Sequence, residues 1–256
     1  MKPQGFHVAA IGAAGAGIQS WRDLHGMLRN PYAYAPRAIS PKTSLLSDAE
    51  RRRASELTRL ALAAAEQACP SPPSGLQAVF VSHTGDGAIT HAICESLASQ
   101  QPTISPIRFT NSVHNAPAAY WSIALGNVAA TTSICAGEHG FSAGLIEAML
   151  VMRHSGKPVL LVVYDVPFPF PLAERVPVRQ PLALGFYLTP NGSDDRWRLA
   201  LTDEKPEAMP SALAKYFDAH ACAPALIWLA AQMRGESRRS VLPYMAGLSL
   251  ALEADD

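Results

Sequence analysis

Cysteine pairs, clustered charge and long apolar runs are all scarce in this sequence. The four cysteines, Cys69, Cys94, Cys135 and Cys222, include no C-x-x-C pair. Their spacing argues against a zinc ribbon or a disulfide framework and favours reduced thiols. Basic and acidic side chains number 21 each, and the densest basic run is 51–53. A neutral chain without a larger basic cluster argues against nucleic-acid binding.

Two further absences concern membranes. No apolar run reaches the ~18 residues that a transmembrane helix needs, and the beginning, Met-Lys-Pro-Gln-Gly, lacks the pattern of a signal peptide. We therefore expect a cytoplasmic protein without membrane insertion. Apolar residues, in contrast, make up 48% of the 256 residues. That content supports a sizeable core in one large domain or two small ones.

Strand patterns alternate with helix patterns over the first two thirds of the chain. This alternation predicts an α/β fold with a mostly parallel sheet covered on both faces. After a proline-rich segment, Asn191-Gly192 separates two strand-like runs and predicts a hairpin between them. The residues from 241 to 252 fit either a strand or a short helix. Strands are predicted at 6–11, 77–82, 128–134, 157–164, 182–188 and 197–202, and helices at 18–28, 88–99, 118–125, 141–152, 210–220 and 223–233.

Two local signals mark chain direction and turns. Ser47-Asp-Ala-Glu50 is a capping box, and it predicts a helix from there to about Cys69. Glycines at 12, 15 and 17 follow the first strand pattern and predict a turn. They do not fall in the G-x-G-x-x-G order of a dinucleotide-binding loop, so that interpretation is weak.

The stretch 126–150 predicts a strand, then a cysteine at a turn, then a helix. In that arrangement the helix dipole favours the thiolate of Cys135. A cysteine at such a place is also commonly a small hydrophobic residue. His139 follows four residues later, so a shared helix face and a Cys–His dyad are conceivable. No orienting group for such a dyad is marked in the sequence.

Several other side chains admit simpler interpretations. A metal site built from Cys135, His139 and His114 lacks ligand pairs at the usual spacing. Asp86 and Asp165 are interpreted as exposed loop acids. Large aromatic side chains late in the chain are interpreted as core or interface anchors, namely Trp197, Tyr216, Phe217 and Trp228.

The cysteine stretch resembles the active-site stretch of β-ketoacyl synthases. Gly126 and Cys135 keep the nine-residue distance found in that family between a glycine and the nucleophile. The combination of motifs resembles half-length ketosynthase-like proteins described as chain length factors of aryl polyene and related type II synthase systems. The resemblance covers roughly residues 6–230. Its motifs are Arg51-Arg-Arg53, Ser112-Val-His-Asn115, Ala136-Gly-Glu138 and Leu145-Ile-Glu-Ala148.

The resemblance implies a truncated thiolase-like fold, with a mixed sheet covered by helices, in one domain over 1–256. Residues 1–165 would form the thiolase-like half. A proline-rich connector, a small hairpin and terminal helices would follow over 166–256.

The same resemblance implies a partner role rather than a condensing enzyme. Full ketosynthases need two histidines, in His-Gly-Thr-Gly-Thr and Asn-x-Phe-Gly-Phe-Gly-Gly-x-Asn contexts, and neither string occurs here. Cys135 would thus occupy the nucleophile position without being catalytic, and no cofactor or metal is implied. The implied partners are a full-length β-ketoacyl synthase, whose acyl tunnel this chain would shape, and transiently an acyl carrier protein.

In ketosynthases the strand leading to the nucleophile pairs with its mate across the dimer axis. The resemblance therefore implies an interface strand from Val128 through Thr131 and Thr132 to Ile134. Ahead of it, certain side chains would approach the partner's acyl tunnel, namely His114, Asn115, Ala118 and Tyr120. The strand carries no charge, so an uncovered edge would be prone to aggregation.

Two alternatives remain open from the sequence. One is an acyl-thioester transferase or hydrolase that uses Cys135 as nucleophile and His139 as base. The other is a scaffold that binds acyl carrier protein alone.

Overall fold

The computed structural model describes residues 5–38, 40–192, 196–235 and 238–255. Residues 1–4, on which the predicted absence of a signal peptide depends, and Asp256 lie outside these ranges. Helices and strands alternate as the apolar patterns indicate. In chain order they are β1 His7–Gly15, α1 Trp21–Arg29, α2 Asp48–Arg53, α3 Glu56–Ala68, β2 Gln77–Ser82, α4 Gly87–Leu97, α5 Pro106–Asn111, α6 Ala116–Ala124, β3 Thr131–Cys135, α7 Gly140–Ser155, β4 Val159–Asp165, β5 Leu182–Thr189, β6 Trp197–Thr202, α8 Ser211–Phe217, α9 Ala223–Arg234, β7 Arg239–Met245 and β8 Leu248–Ala254.

Five of the described strands form the central sheet, in the order β1-β5-β4-β2-β3. The neighbours of β2, which are β3 and β4, run parallel to it. The neighbours of β5, which are β4 and β1, run antiparallel to it. The sheet is therefore mixed, as the resemblance implied, with parallel pairs at one side only. Half of it departs from the mostly parallel arrangement predicted from strand–helix alternation.

Helices cover both faces of this sheet because its middle strands are apolar on both faces. Every residue of β4 is buried. On one face α3 and α6 pack against Phe80, Leu160 and Val162. On the other face α1, α7 and α9 pack against Val79, Val81 and Leu161. Trp197, Phe217 and Trp228 belong to the core on this second face, and Tyr216 packs against that core. All four aromatics are thus anchors of the chain's own core.

The predicted hairpin between 182–188 and 197–202 is wrong. Both edges of β5 are already taken by β1 and β4 in the central sheet, so β5 cannot also pair with β6. Instead β6 pairs with β8, and β8 pairs with β7, in a separate three-stranded antiparallel sheet of the described residues. Two strands joined at Gly247, which has φ of +75°, therefore form the tail that the sequence left undecided.

The capping box at Ser47 is confirmed, but the helix it opens is shorter than predicted. Ser47 accepts a hydrogen bond from the Glu50 backbone, and the Glu50 carboxylate accepts one from the Ser47 backbone. Ala54 then adopts an extended conformation, and Ser55 caps a second helix. One predicted helix thus becomes α2 and α3, because Ser55 offers a competing cap.

The predicted glycine turn begins later than expected, since β1 continues to Gly15 and the turn lies at residues 16–17, where Gly17 has φ of +71°. Gly12 lies opposite Gly185 in the β1–β5 ladder. A Cβ built on either glycine would collide with the carbonyl oxygen of Ala64 in α3. The two glycines therefore allow the backbone of α3 to pack directly against the sheet at this point.

Candidate functional site

The strand β3 lies at one edge of the central sheet among the strands described. Its five residues carry no charge, and all are half-buried or exposed. The strand begins at Thr131, so Val128 precedes it, in a turn, with 99% of its surface exposed. The predicted interface strand is therefore shorter than expected at its amino end.

Side chains alternate along β3 between the two faces of the sheet. The Thr132 hydroxyl lies 3.2 Å from the Glu147 carboxylate of α7, and Ile134 packs against the core cluster on the α7 side. The side chains of Thr131, Ser133 and Cys135 therefore point to the opposite face, which α3 and α6 cover. Position 132 is consequently a poor place to test the outer edge by substitution.

Cys135 ends β3 and is exposed. Its sulfur lies 3.8 Å from the Ser82 hydroxyl oxygen on the neighbouring strand. A 3₁₀ turn, Gly137–His139, separates the cysteine from the first residue of α7. This 3₁₀ turn runs directly into α7, so Cys135 precedes the helical segment and does not lie within its first turn, where the dipole acts most strongly.

His139 lies in that 3₁₀ turn, whereas Cys135 belongs to the strand, so the two do not share a helix face. The His139 Nε2 atom lies 3.8 Å from the Glu138 carboxylate, and so does the Nε2 atom of His83. Burial lowers the pKa of His83 below its ordinary value, and Glu138 partly offsets this. Within the described ranges, no hydrogen bond joins the Cys135 thiol to an imidazole, and no group of three His, Cys, Asp or Glu side chains is placed to hold a metal.

A second polar cluster lies at the carboxyl ends of the strands, on the α7 and α9 face. The Asp165 carboxylate accepts hydrogen bonds from the backbone N–H groups of His83, at 2.8 Å, and Ala221, at 3.0 Å. Its Oδ2 atom lies 3.9 Å from Nδ1 of His220. Asp165 and His220 are both fully buried. Asp165 is therefore not the exposed loop acid that the sequence suggested.

This carboxylate joins segments that are distant in sequence. The Ala221 N–H donates to this carboxylate. The Ala221 carbonyl oxygen in turn accepts a hydrogen bond of 2.9 Å from the Phe141 N–H at the beginning of α7. The His220 Nδ1 atom accepts the Cys222 N–H at 3.0 Å. Asp86, the other predicted exposed acid, is also buried, and it caps α4 through the Ile89 N–H. Both acids are thus structural hydrogen-bond acceptors.

Burial dominates the ionisation of this cluster. It raises the pKa of Asp165 to about 7, although the two N–H donors oppose the shift. It lowers the pKa of His220 to about 3, so the imidazole is neutral. Burial also raises the pKa of the Cys222 thiol well above its usual range. The cluster therefore holds no strong base near neutral pH.

Asp165→Asn is expected to change how stability depends on pH. A raised carboxyl pKa means that Asp165 contributes stability fully below its unfolded pKa of about 4, and that this contribution is lost as pH rises to 7. Relative to the variant, the wild type should lose roughly 2–4 kcal/mol of unfolding free energy across that window. Urea unfolding at several pH values measures it. The lowered pKa of His220 reduces the stability of both proteins equally as pH falls, so it cancels in the comparison. If the unfolding free energies of the two proteins changed with pH in parallel, the prediction would be contradicted.

The four side chains predicted ahead of the strand have different surroundings. His114 and Asn115 are exposed, and the His114 Nε2 atom lies 3.0 Å from the Ser133 carbonyl oxygen. Ala118, a residue of α6, is 1% exposed and belongs to the core, and Tyr120 packs against the same core cluster. Ala118 is therefore covered by its own chain and is removed from the predicted interface.

An apolar rim is defined here as Phe109, Val113, Ile123 and Val128, four exposed side chains on the segments that precede β3. Each of these side chains is at least half exposed, from 53% for Val113 to 99% for Val128. The rim belongs to the segments before β3, which connect to its edge through His114. Phe109 is not among the predicted site residues because no helix is predicted over 106–111. The available signal was the Ser105-Pro106 pair, a cap residue followed by proline at the first helical position.

An edge strand that ends in a cysteine, within a mixed sheet covered by helices, is the arrangement that the resemblance implied. The family profile described as β-ketoacyl synthase, N-terminal domain matches residues 25–242. The chain belongs to that family. A search among curated proteins gave no match.

Solved structures support the same fold. A chain from the ketosynthase in complex with its chain length factor from Xenorhabdus doucetiae is 20% identical with a TM-score of 0.73, covering 97% of this chain and 99% of that one. A chain of the ishigamide ketosynthase/chain length factor is 12% identical with a TM-score of 0.68, covering 97% of this chain and 98% of that one. A chain from a type II polyketide synthase acyl-carrier protein in complex with its ketosynthase is 9% identical with a TM-score of 0.70, covering 99% of this chain and 100% of that one. At these identities the likeness concerns the fold.

No helix within the described residues combines the length and the apolar character needed to cross a membrane.

Proposed function

We propose that this chain is a non-condensing subunit that pairs with a full-length β-ketoacyl synthase and shapes its acyl tunnel. It acts as a chain length factor in aryl polyene-type or related fatty-acid-like biosynthesis. The observation that carries the proposal is the uncharged edge strand β3, together with the exposed apolar rim on the segments that precede it. An edge of this kind is an aggregation hazard unless another chain covers it.

The chemistry around Cys135 supports a non-condensing role. Condensation requires a thiolate that accepts the acyl group and donors that stabilise the oxyanion formed when a malonyl thioester loses CO₂. The chain lacks both histidine motifs that supply those donors in ketosynthases. Its buried histidine, His220, sits with Asp165 on the α7 and α9 face, whereas the Cys135 side chain points to the other face. Cys135 is therefore a remnant of the nucleophile position in this proposal.

The relatives favour the same assignment. Two of the similar structures are described as ketosynthases with chain length factors, and one is described as a carrier protein with its ketosynthase. This chain spans nearly the whole length of each of those chains. We infer that its partners are a full-length β-ketoacyl synthase, held stably through the β3 edge, and an acyl carrier protein, bound transiently.

Co-expression with the ketosynthase encoded nearby tests the proposal. Size-exclusion chromatography with light scattering should give a one-to-one complex, and the complex should produce acyl chains whose length distribution is narrower than that of the ketosynthase alone. Cys135→Ala is the control and should leave both results unchanged. A chain that elutes apart from the ketosynthase would contradict the proposal. Loss of acyl-thioester turnover in Cys135→Ala would favour the transferase or hydrolase.

A further inference from the structure

We propose that His114 determines which chain can pair with β3, because its imidazole is hydrogen-bonded to the Ser133 carbonyl oxygen, which a partner strand would otherwise use as an acceptor. The inference rests on the proposed pairing with a ketosynthase. It adds that the hydrogen bond from His114 to the Ser133 carbonyl, called the guard below, hinders pairing of the outer edge of β3 with a second copy of this chain.

The direction of the Ser133 carbonyl follows from the ladder between β2 and β3. The Ala136 N–H donates to the Ser82 carbonyl at 3.3 Å. In a parallel pair, alternate residues of a strand direct both backbone groups to the same neighbour. Residues 132 and 134 therefore bond to β2 together with Ala136. The backbone groups of 131, 133 and 135 then face outward, away from β2.

His114 meets one of these outward groups. Its Nε2 atom lies 3.0 Å from the Ser133 oxygen. A carbonyl oxygen only accepts hydrogen bonds, so Nε2 carries the proton and donates. The contact engages the carbonyl oxygen at the middle residue of the five-residue strand. A partner strand would need the same oxygen as an acceptor for its own N–H.

The local structure holds the imidazole in place while leaving it removable. Gly85, with φ of +87°, lies in the turn after β2, and a Cβ built there would be 3.4 Å from Cβ of His114. The turn thus supports the backbone side of His114. The His114 side chain is exposed, so it can rotate away from the strand without opening the core.

The guard replaces the usual protection of an edge. Natural edge strands often carry lysine, proline or a bulge that discourages pairing. The sequence of β3, Thr-Thr-Ser-Ile-Cys, has none of these. The apolar rim on the segments that precede β3 makes self-association more favourable still, so a side-chain donor on the central carbonyl is the local element that opposes it.

Symmetry makes the guard selective. Two copies that pair through β3 about a two-fold axis use the same surface twice, so both His114 contacts must break. Pairing with a ketosynthase strand breaks one. A net hydrogen bond corresponds to about a fivefold change in an equilibrium constant. The guard should therefore weaken self-pairing about 25-fold and ketosynthase pairing about fivefold.

The variant His114→Ala tests these factors. Sedimentation velocity over a range of concentrations should show self-association about 25-fold tighter than in the wild type. Binding to the ketosynthase, measured separately, should tighten about fivefold. His154→Ala, which removes an exposed histidine in the last turn of α7, is the matched control and should change neither constant. Unchanged or weaker self-association in His114→Ala would overturn the proposal.

A measurement on the wild-type chain covers the possibility that the variant misfolds. Two-bond ¹⁵N–¹H correlation spectra of the imidazole should report the Nε2–H tautomer for His114, and its signal should shift when the ketosynthase is added. The Nδ1–H tautomer in the free chain would overturn the proposal. Self-association and tautomer are both measured without the ketosynthase. Failure of heterodimer formation alone would therefore count against the proposed function and not against the guard.

Discussion

Proline at position 133 is expected to abolish association with the ketosynthase while the chain remains folded. The backbone N–H of Ser133 faces outward from β3, so proline removes no bond to β2 and deletes a donor only on the partner's side. The pyrrolidine ring then occupies the space where a partner strand must approach, which is why proline is tolerated on edge strands and blocks further pairing. We expect a loss of affinity of about 100-fold or more.

Two companions make this result specific. Ser133→Ala removes the hydroxyl and keeps the N–H, and it should bind the ketosynthase with nearly wild-type affinity. Thr132→Pro places the ring on the bonds to β2 and should lower the unfolding free energy by about 3 kcal/mol. Circular dichroism and titration calorimetry separate the two effects. Ser133→Pro protein that is folded and still forms the complex would show that the partner uses another surface.

Gly12→Val should have the largest effect on stability of any single substitution considered. The new side chain would overlap the Ala64 carbonyl oxygen, and its Cβ would lie 2.7 Å from the Ala68 nitrogen. Both atoms belong to the backbone of α3, so no side-chain rotation relieves the collision. Overpacking of a core typically costs 1–3 kcal/mol, and contact with rigid backbone places this change at or above about 3 kcal/mol.

Gly26→Ala is the matched comparison, because it adds a methyl group to another glycine at a place with room. Nothing lies within 4 Å of a Cβ built on Gly26, which is exposed within α1. Alanine in a helix interior is favoured over glycine by about 0.5–1 kcal/mol, so this variant should be slightly more stable. Urea unfolding of both variants measures the difference. Equal stability of Gly12→Val and the wild type would mean that β1 and α3 are not packed as described.

The strongly apolar elements could be predicted from sequence, and the reason is physical. Strands β2 and β4 are buried on both faces, so their side chains are continuous apolar runs. The capping box at Ser47 was equally readable because both of its hydrogen bonds are local. By contrast, the break at Ala54 depends on competition between two serine caps, which apolar periodicity does not report.

The pairing of β5 and the burial of Asp165 could not be predicted, for a different reason. Both depend on contacts across long sequence distances. The partners of β5 are β1 and β4, and the donors to Asp165 come from His83 and Ala221. Single-residue propensity favours a loop position for an aspartate after a strand, and only the tertiary structure brings two N–H groups to it. The interface role of β3 and the approach of His114, Asn115 and Tyr120 to a partner's tunnel remain predictions.

The pairing of β1 with β5 has a consequence for the order in which the protein is made. His7 faces Thr189 and Gly15 faces Leu182, so β1 can pair only after the residues up to Thr189 have been synthesised. The parallel β2, β3 and β4 need no residue beyond Asp165 to meet one another. Because chains are synthesised from the amino terminus, all residues of the edge that we propose as the ketosynthase contact are present on the nascent chain before β5, which β1 needs at the opposite edge, has been made. A bond supplied by His114, only 19 residues ahead of Ser133, is available from the moment that edge forms.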